Sequence, residues 1–423
     1  MNIEQLHQLY LDSSGVCTDT RRIFDNCIFF ALKGEHFNGN TFAQQALENG
    51  AGYAIIDEEE FLSDENILLV DDVLECLQKL ATYHRNYLEL PIVALTGSNG
   101  KTTTKELMYA VLSQKFTTVA TQGNLNNHIG VPLTLLSMDS RTEIGIVEMG
   151  ANHQGEIAFL SEIAQPDVGY ITNFGKAHLE GFGGVEGVIK GKSELYTYLK
   201  KNDGMIILNK DDEKQVTIVG DYPNFSFSQG DAADVHVALI QGHPMIAVKY
   251  KDLIIETHLT GLYNLTNIIA AIAIGDHYDV SPEDIKKGIE SYIPSNNRSQ
   301  IIKQNGNTIV LDAYNANPSS MEAALKNFSQ LEGKKVAFLG DMFELGDDAK
   351  SEHQYIAALA TSLGIETLYL LGAHFFEVDI ETAMQFKSFE DFKEHAETPQ
   401  FENVNILIKG SRGMALERLL DLW

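Results

Sequence analysis

Apolar residues along this chain fall into two spacings, and the spacings take turns. Short β-branched runs predict strands at 26–32, 52–56, 67–70, 92–96, 116–120, 144–148, 168–172 and 204–208. Between them apolar residues recur every three or four positions, as on one face of a helix. Val73, Leu74, Leu77, Leu80 and Ala81 set such a face over 72–87. Further helices are expected at 41–49, 101–114, 154–163 and 184–201. From about Ala233 to Gly261 the pattern turns to short alternating strands, and Asn264 to Gly275 reads as a buried Ile/Ala helix. Strand–helix alternation resumes with strands 308–312, 335–339, 367–371 and 404–408, helices 319–328 and 351–363, and a last helix from about Met414. Such alternation predicts an α/β fold whose parallel sheets are covered by helices. Pro91 breaks the chain before strand 92–96, and the polar stretch Pro294-Ser295-Asn296-Asn297-Arg298 marks a second boundary. Three units follow, at 1–90, 91–294 and 295–423.

Ligands of parallel sheets collect beyond the carboxyl ends of the strands. The stretch Thr96-Gly97-Ser98-Asn99-Gly100-Lys101-Thr102-Thr103 sits there, between a strand and a helix. Helix N-termini carry unpaired N–H groups and partial positive charge, and glycines let the backbone approach a phosphate closely. Lys101 adds a full charge for β/γ-phosphates and Thr102 a hydroxyl for Mg²⁺. The loop is shorter than a full Walker motif, which would want glycine where Leu95 stands.

Other candidates are also polar residues at strand ends. Glu148 closes strand 144–148, where a phosphate-binding sheet holds Mg²⁺. Asn173 and His178 lie in the glycine-rich stretch after strand 168–172. Lys190 and Lys192 stand two apart on a helix and so point in clearly different directions. Asn264 and Asn267 share a helix face, suited to reading a base edge or, for Asn264, to capping the helix. Three polar turns, Asp312–Pro318, Gly340–Gly346 and Lys409–Gly413, suggest a binding rim.

A formal charge of −28 over 423 residues argues against a nucleic-acid partner, which needs a basic face. Three scattered cysteines suit a reducing compartment. The first residues show no signal-peptide pattern, and no apolar run approaches the ~18 residues of a membrane span. A cytoplasmic protein without membrane insertion is expected.

Together these stretches resemble the Mur ligase family. Residues 96–102 are similar to its shortened phosphate loop, which accounts for Leu95. Asn264 and Asn267 resemble its adenine-side helix, Arg298 its linker arginine and Asp312 its ribose aspartate. Cys17-Thr18-Asp19-Thr20-Arg21 is similar to the family's Asp-Ser-Arg, with Thr20 in the serine's place. Gly123-Asn124-Leu125-Asn126-Asn127, Tyr314-Asn315-Ala316-Asn317-Pro318 and Gly340–Gly346 resemble the member that adds a dipeptide. Asp312-Ala313 departs from the usual start of that turn. No Asp-Asn-Pro-Arg stretch of the member adding the third residue occurs in the last unit.

The resemblance implies a smaller N-terminal α/β domain, a central P-loop-type parallel sheet flanked by helices, and a C-terminal Rossmann-like α/β domain. It implies ATP and two Mg²⁺ ions as cofactors, with Gly97, Ser98, Asn99, Gly100, Lys101, Thr102, Thr103, Asn264, Asn267, Arg298 and Asp312 on the nucleotide. Thr102 and Glu148 would hold the first ion, and His178 and a carbamylated Lys192, ahead of Ser193-Glu194-Leu195-Tyr196, the second. Lys101, Glu148, His178 and Lys192 would be the catalytic set. UDP-N-acetylmuramoyl-tripeptide would meet Asp19, Thr20 and Arg21, D-Ala-D-Ala would meet the turns Asn315–Asn317 and Asp341–Gly346, and Tyr314 would bind substrate. Asn126 and Asn127 are further substrate-binding candidates. A monomer is expected. A ligase of the same fold with another donor, or a binding protein that hydrolyses ATP without joining anything, are the competing expectations.

Overall fold

The computed structural model describes residues 2–230, 232–295, 297–396 and 401–422. Asn296 of the polar boundary stretch lies outside them. Among the described residues the strands form a four-stranded, a nine-stranded and a six-stranded sheet and one two-stranded ribbon.

The first sheet is parallel and runs Val16–Cys17, Ile28–Phe30, Tyr53–Ile56, Ile67–Leu69. Helix Val73–Leu88 leaves it toward the centre. Its N-cap Asp72 accepts from Glu75 N at 2.7 Å, and it ends where Glu89 turns left-handed (φ 51°) ahead of Pro91.

The nine-stranded sheet places Val168–Ile171, Ile92–Thr96 and Ile144–Glu148 side by side and parallel. All five residues of Ile92–Thr96 are buried. Side chains alternate between the two faces. Ile92 and Ala94 join the cluster of Leu77, Leu80, Ile157 and Leu160, while Val93 and Leu95 join that of Met108, Val111, Ile268 and Ile272. Both faces are thus covered, and each fully buried Leu or Ile side chain contributes roughly 1.5–3 kcal/mol. The alternating segment after Ala233 forms the antiparallel edge Val235–Gln241, Ala247–Tyr250, Leu253–Glu256.

In the six-stranded sheet Asn307–Asp312, Asn405–Lys409 and Lys335–Gly340 lie adjacent and parallel, with Gln300–Gln304 antiparallel at one edge. Its alternation repeats that of the centre: Ile309 and Leu311 pack on one side, Val310 on the other. The expected last helix is not an α-helix. Ala415 at φ 47° splits it into 3₁₀ turns, Arg412–Met414 and Leu416–Leu422. Leu416 and Leu419, three apart, are its fully buried residues, the spacing that a 3₁₀ turn places on one side.

No helix among the described residues is long and apolar enough to cross a membrane.

Candidate active site

Three adjacent strand ends of the central sheet form one side of a cavity of about 710 Å³. Gly97 follows the first. Its φ of 141° and the 2.0 Å that would separate a Cβ from Thr172 Oγ1 leave room for glycine alone. The loop is then pinned from the neighbouring strand end. Asn99 N donates to Asn173 Oδ1 at 3.0 Å, Thr172 Oγ1 to Asn99 O at 2.6 Å and Ser98 Oγ to Gly175 O at 2.9 Å. Gly100 (φ 80°) opens helix Lys101–Leu112 without a side-chain cap, so its first N–H groups are left for a ligand. Lys101 Nζ donates to Gly97 O at 2.7 Å. Enclosure lowers its pKa, opposed by the charge of Glu148 and reinforced by that of Arg298.

Glu148 is 1% exposed. Its backbone N donates to Thr121 Oγ1 at 2.9 Å, and Oε1 accepts from Asn126 Nδ2 at 2.8 Å. Oε2 is buried without a hydrogen-bond partner. A buried, half-satisfied carboxylate calls for a cation. Lys192, also 1% exposed, donates to Ala151 O at 3.0 Å and lies over the Phe182 ring. Burial, then the charge of Lys101, holds its pKa well below the ordinary lysine value. Lys190 is exposed, so the two lysines face different surroundings and a shared solvated basic face is not formed.

The opposite wall comes from the six-stranded sheet. Register pairs Asp312 with Lys409 at neighbouring strand ends, and Lys409 Nζ meets Asp312 Oδ2 at 2.6 Å. Asp312 Oδ1 accepts from Ser299 N at 3.1 Å. The Arg298 guanidinium stacks 3.7 Å from the centre of the Tyr314 ring, with Nε unpartnered. Asn264 and Asn267 reach the cavity from the central unit. Asn267 Nδ2 donates to Asn264 Oδ1 at 2.9 Å and Thr104 Oγ1 to Asn267 Oδ1 at 3.1 Å. Asn264 makes no side-chain cap; its amide donates to Thr260 O instead.

The walls are joined directly. Asn317 Nδ2 donates to Asn99 Oδ1 at 2.7 Å, and Lys176 N to Ser319 Oγ at 2.9 Å. His178 Nδ1 pairs with Glu344, and Lys176 with Glu352. His178 (φ 52°) and Glu344 (φ 61°) both adopt the left-handed backbone that non-glycine residues rarely take.

Comparison with known proteins accounts for this arrangement. Residues 95–275 match the Mur ligase middle domain and residues 297–412 the Mur ligase, glutamate ligase domain. The chain is 35% identical over 422 residues to the UDP-N-acetylmuramoyl-tripeptide--D-alanyl-D-alanine ligase of Bacillus subtilis, covering 96% of this chain and 92% of that protein. The chain belongs to the Mur ligase family. Its fold follows that of solved relatives. MurF from Acinetobacter baumannii superposes with a TM-score of 0.85 at 32% identity, over 100% of this chain and 98% of that one. The MurF ligase from Thermotoga maritima in complex with ADP gives 0.85 at 27% identity, over 96% of each.

Within this Mur ligase fold the expected residues other than Gly97, which shapes the loop from its start, divide into three sets. Ser98–Thr103, Asn126, Asn127, Glu148, His178, Asn264, Asn267, Arg298, Asp312, Tyr314, Asn315 and Asn317 line the one cavity. Lys192 lies behind it, against Ala151. Asp19, Thr20 and Arg21 lie outside it: Asp19 caps the turn Thr20–Arg22 and binds the Arg21 guanidinium, whose side chain is 87% exposed. Several expected ligand residues already have structural partners. Asn126 orients Glu148, Asn127 Oδ1 accepts from Ile129 N and Gly130 N, and Asn317 caps helix Pro318–Ser329. The turn after Gly340 splits: the buried Asp341 accepts from His374 N and Phe375 N, while Phe343 and Glu344 face outward to a second, smaller cavity.

The pairs Asp312–Lys409 and His178–Glu344 were missed from the sequence. Lys409 and Glu344 stood in turns singled out there, but their partners lie 97 and 166 positions away. Among the described residues no group of three or more His, Cys, Asp and Glu side chains is placed to hold a metal ion.

Proposed function

We propose that this chain is an ATP-dependent ligase that joins D-alanyl-D-alanine to the terminal carboxylate of UDP-N-acetylmuramoyl-tripeptide, giving the pentapeptide used in peptidoglycan synthesis. One observation carries the reading. A phosphate loop on the central sheet and the polar turns of the six-stranded sheet line a single cavity, in a chain alike end to end to ligases of that name.

The units 1–90, 91–294 and 295–423 would hold the uridine nucleotide, ATP and the dipeptide respectively. Asp19, Thr20 and Arg21 serve the first. Loop N–H groups and Lys101 hold the phosphates of ATP. Asn264, Asn267, Arg298 and Asp312 hold the base and ribose, with the Arg298 guanidinium stacked on Tyr314.

The residues present fit Mg²⁺, since Glu148 Oε2 is a buried oxygen without a partner. Thr102 and Glu148 would hold one ion, His178 and a carbamylated Lys192 a second. Bound there, Mg²⁺ neutralises charge on the β/γ-phosphates. A lysine carbamate offers the oxygen ligand Mg²⁺ prefers, and the low basicity of buried Lys192 suits CO₂ capture.

The terminal carboxylate of the tripeptide attacks the γ-phosphorus, ADP leaves, and an acyl phosphate forms. The free amine of the dipeptide attacks its carbonyl, and the tetrahedral intermediate collapses to amide and phosphate. Bringing anions together demands the positive charge of Lys101, and holding the reacting groups side by side supplies the orientation term.

The test is ADP release measured with each substrate omitted in turn, with the mass of the product determined. Release that requires both tripeptide and dipeptide is expected. Release indifferent to both would make the chain a nucleotide-hydrolysing binding protein, and release with another amine would change the donor.

A further inference from the structure

Lys105 stands one turn beyond Lys101 on helix Lys101–Leu112 and is 1% exposed. It lines neither of the two cavities, and no step of the ligation uses it. Burying an ammonium costs hydration, and an apolar side chain of similar volume often serves stability as well. Its partners therefore matter. Nζ pairs with Glu106 Oε1 at 2.7 Å and donates to Thr121 O at 2.5 Å. Glu106 is its partly exposed chain neighbour. Thr121 is fully buried and follows strand Thr118–Ala120.

Thr121 leads to Glu148. Its N donates to Ile146 O at 3.0 Å, and its Oγ1 accepts from Glu148 N at 2.9 Å. The chain runs on from Thr121 to Asn126. The Asn126 amide donates to Glu148 Oε1 at 2.8 Å, and its carbonyl accepts from Gly150 N at 2.7 Å. Segment 121–126 thus holds Glu148 by its backbone and by its carboxylate. Lys105 ties the start of that segment to the helix that carries Lys101 and Thr102. The residue before it, Thr104, ties the same helix to Asn267.

We infer that Lys105 is a positioning residue: through Thr121 it fixes the Glu148 carboxylate relative to the phosphate loop. The inference rests on the nucleotide and Mg²⁺ part of the ligase reading. Glu148 ends one strand, and Thr102 belongs to the helix that follows the neighbouring strand. An ion shared by the two needs their separation kept, because Mg²⁺ demands near-ideal octahedral geometry. The bond from Lys105 to Thr121 O spans that separation from behind and puts no further group into the cavity.

The test measures binding in the full-length protein. Calorimetry gives the affinity for a non-hydrolysable ATP analogue in Mg²⁺ and in EDTA, and hence the gain that Mg²⁺ supplies. Lys105→Met keeps the apolar stem and loses the donor. Its gain should fall about 10-fold, a usual size for coupling between two ligands, while affinity in EDTA moves less than about twofold. Thr121→Val removes the acceptor for Glu148 N and should lose the same gain. The double variant should lose no more than either single one, because both changes act on one path. Glu106→Gln should keep the gain, since the bond to Thr121 O remains. A wild-type gain in Lys105→Met would overturn the positioning role. Additive losses in the double variant would overturn the path through Thr121. Equal weakening in Mg²⁺ and in EDTA, with a lowered melting temperature, would overturn the inference in favour of a structural role. A wild type that does not bind the analogue at all would overturn the nucleotide reading, and this inference with it.

Discussion

Two buried polar clusters in this molecule are built from similar side chains and finished differently. At the seam between the first helices and the central unit, the described polar groups close on protein partners. His7 Nε2 meets His84 Nδ1 at 3.0 Å, and His84 Nε2 meets Met138 O at 2.9 Å. Tyr10 OH donates to Leu136 O at 2.7 Å, and Arg85 is held by Gln165 O and Asp167. Around the large cavity the bonds stop short. Glu148 Oε2 and Arg298 Nε have no partner, and for each of Lys101 and Lys192 a single carbonyl holds an ammonium with three donors. A buried polar group without a partner costs about 1–3 kcal/mol. A fold retains that cost where a ligand makes the missing bond. Between these two clusters, saturation goes with the joint and incompleteness with the cavity. Changes at the cavity should therefore cost activity and spare stability, and changes at the seam should do the reverse.

The largest expected effect is at Lys101. Lys101→Ala removes the one full charge on the phosphate loop, a loss typically worth ~3 kcal/mol or more in the transition state. Turnover should fall by two orders of magnitude or more, roughly. The melting temperature should stay near wild type, because the amine bonds only to its own loop. Normal turnover would place the nucleotide elsewhere.

Lys192 against Lys190 makes the next contrast within one helix. Lys192→Ala should be nearly inactive and partly rescued by a small carboxylate, whereas exposed Lys190→Ala keeps most activity. Mass spectrometry or ¹³C-bicarbonate labelling should find one CO₂ on wild type and none on Lys192→Ala. An active Lys192→Ala, or a dead Lys190→Ala, would remove the second metal site.

How far this contrast could be read beforehand follows from what carries it. Strand Ile92–Thr96 and the loop after it were legible because burial on two faces and a phosphate turn are local patterns. Helical spacing alone set Lys190 and Lys192 apart in direction, and which of them is buried did not follow from it. The short helices Gly130–Leu135 and Glu213–Val219 escaped notice because one or two turns carry too little periodicity. Pairing was hidden more deeply. Nothing near Asn317 says that its amide meets Asn99, 218 positions away. That Asn126, a substrate-binding candidate, also orients Glu148 becomes visible only once the sheet is assembled.

Asn317 tests the border between joint and site. Its Oδ1 caps helix Pro318–Ser329 through Ser320 N at 2.9 Å, and its Nδ2 bridges to Asn99. Asn317→Asp keeps the cap and loses the donor, while Asn317→Ala loses both. The aspartate variant should melt near wild type and show lower kcat/KM for ATP and dipeptide alike, because the bridge joins the loop after Gly97 to the turn after Asp312. The alanine variant should lose about 1 kcal/mol of stability in addition. A KM rise confined to the dipeptide, at wild-type stability, would instead mean that the amide touches the dipeptide itself.

The smallest expected effect belongs to the seam and appears as pH dependence of stability. Met138 O can only accept, so His84 Nε2 carries the proton and its Nδ1 accepts from His7 Nε2–H. Protonating His84 would set two N–H groups against each other. Burial lowers both histidine pKa values, with the His84 charge adding for His7, while for His84 the hydrogen bond to Met138 and then the charge of Asp139 oppose it. Tyr10, Tyr83 and Tyr87 are the other ring neighbours. The sign follows. Between the lowered native values and about 6.5, the unfolded chain binds more protons than the folded one, so stability rises with pH. The contribution is complete above about pH 7 and declines as pH falls through 6.5 toward the native values. Denaturant midpoints at pH 7.5 and 5.5 measure it. Wild type should lose more on acidification than His84→Gln, whose amide can still donate to Met138 O and has no proton to gain. The KM for ATP at pH 7.5 should be the same in both. An equal acid loss in the two proteins would move the titrating groups elsewhere. A raised ATP KM in His84→Gln would mean that the seam and the cavity are not separable.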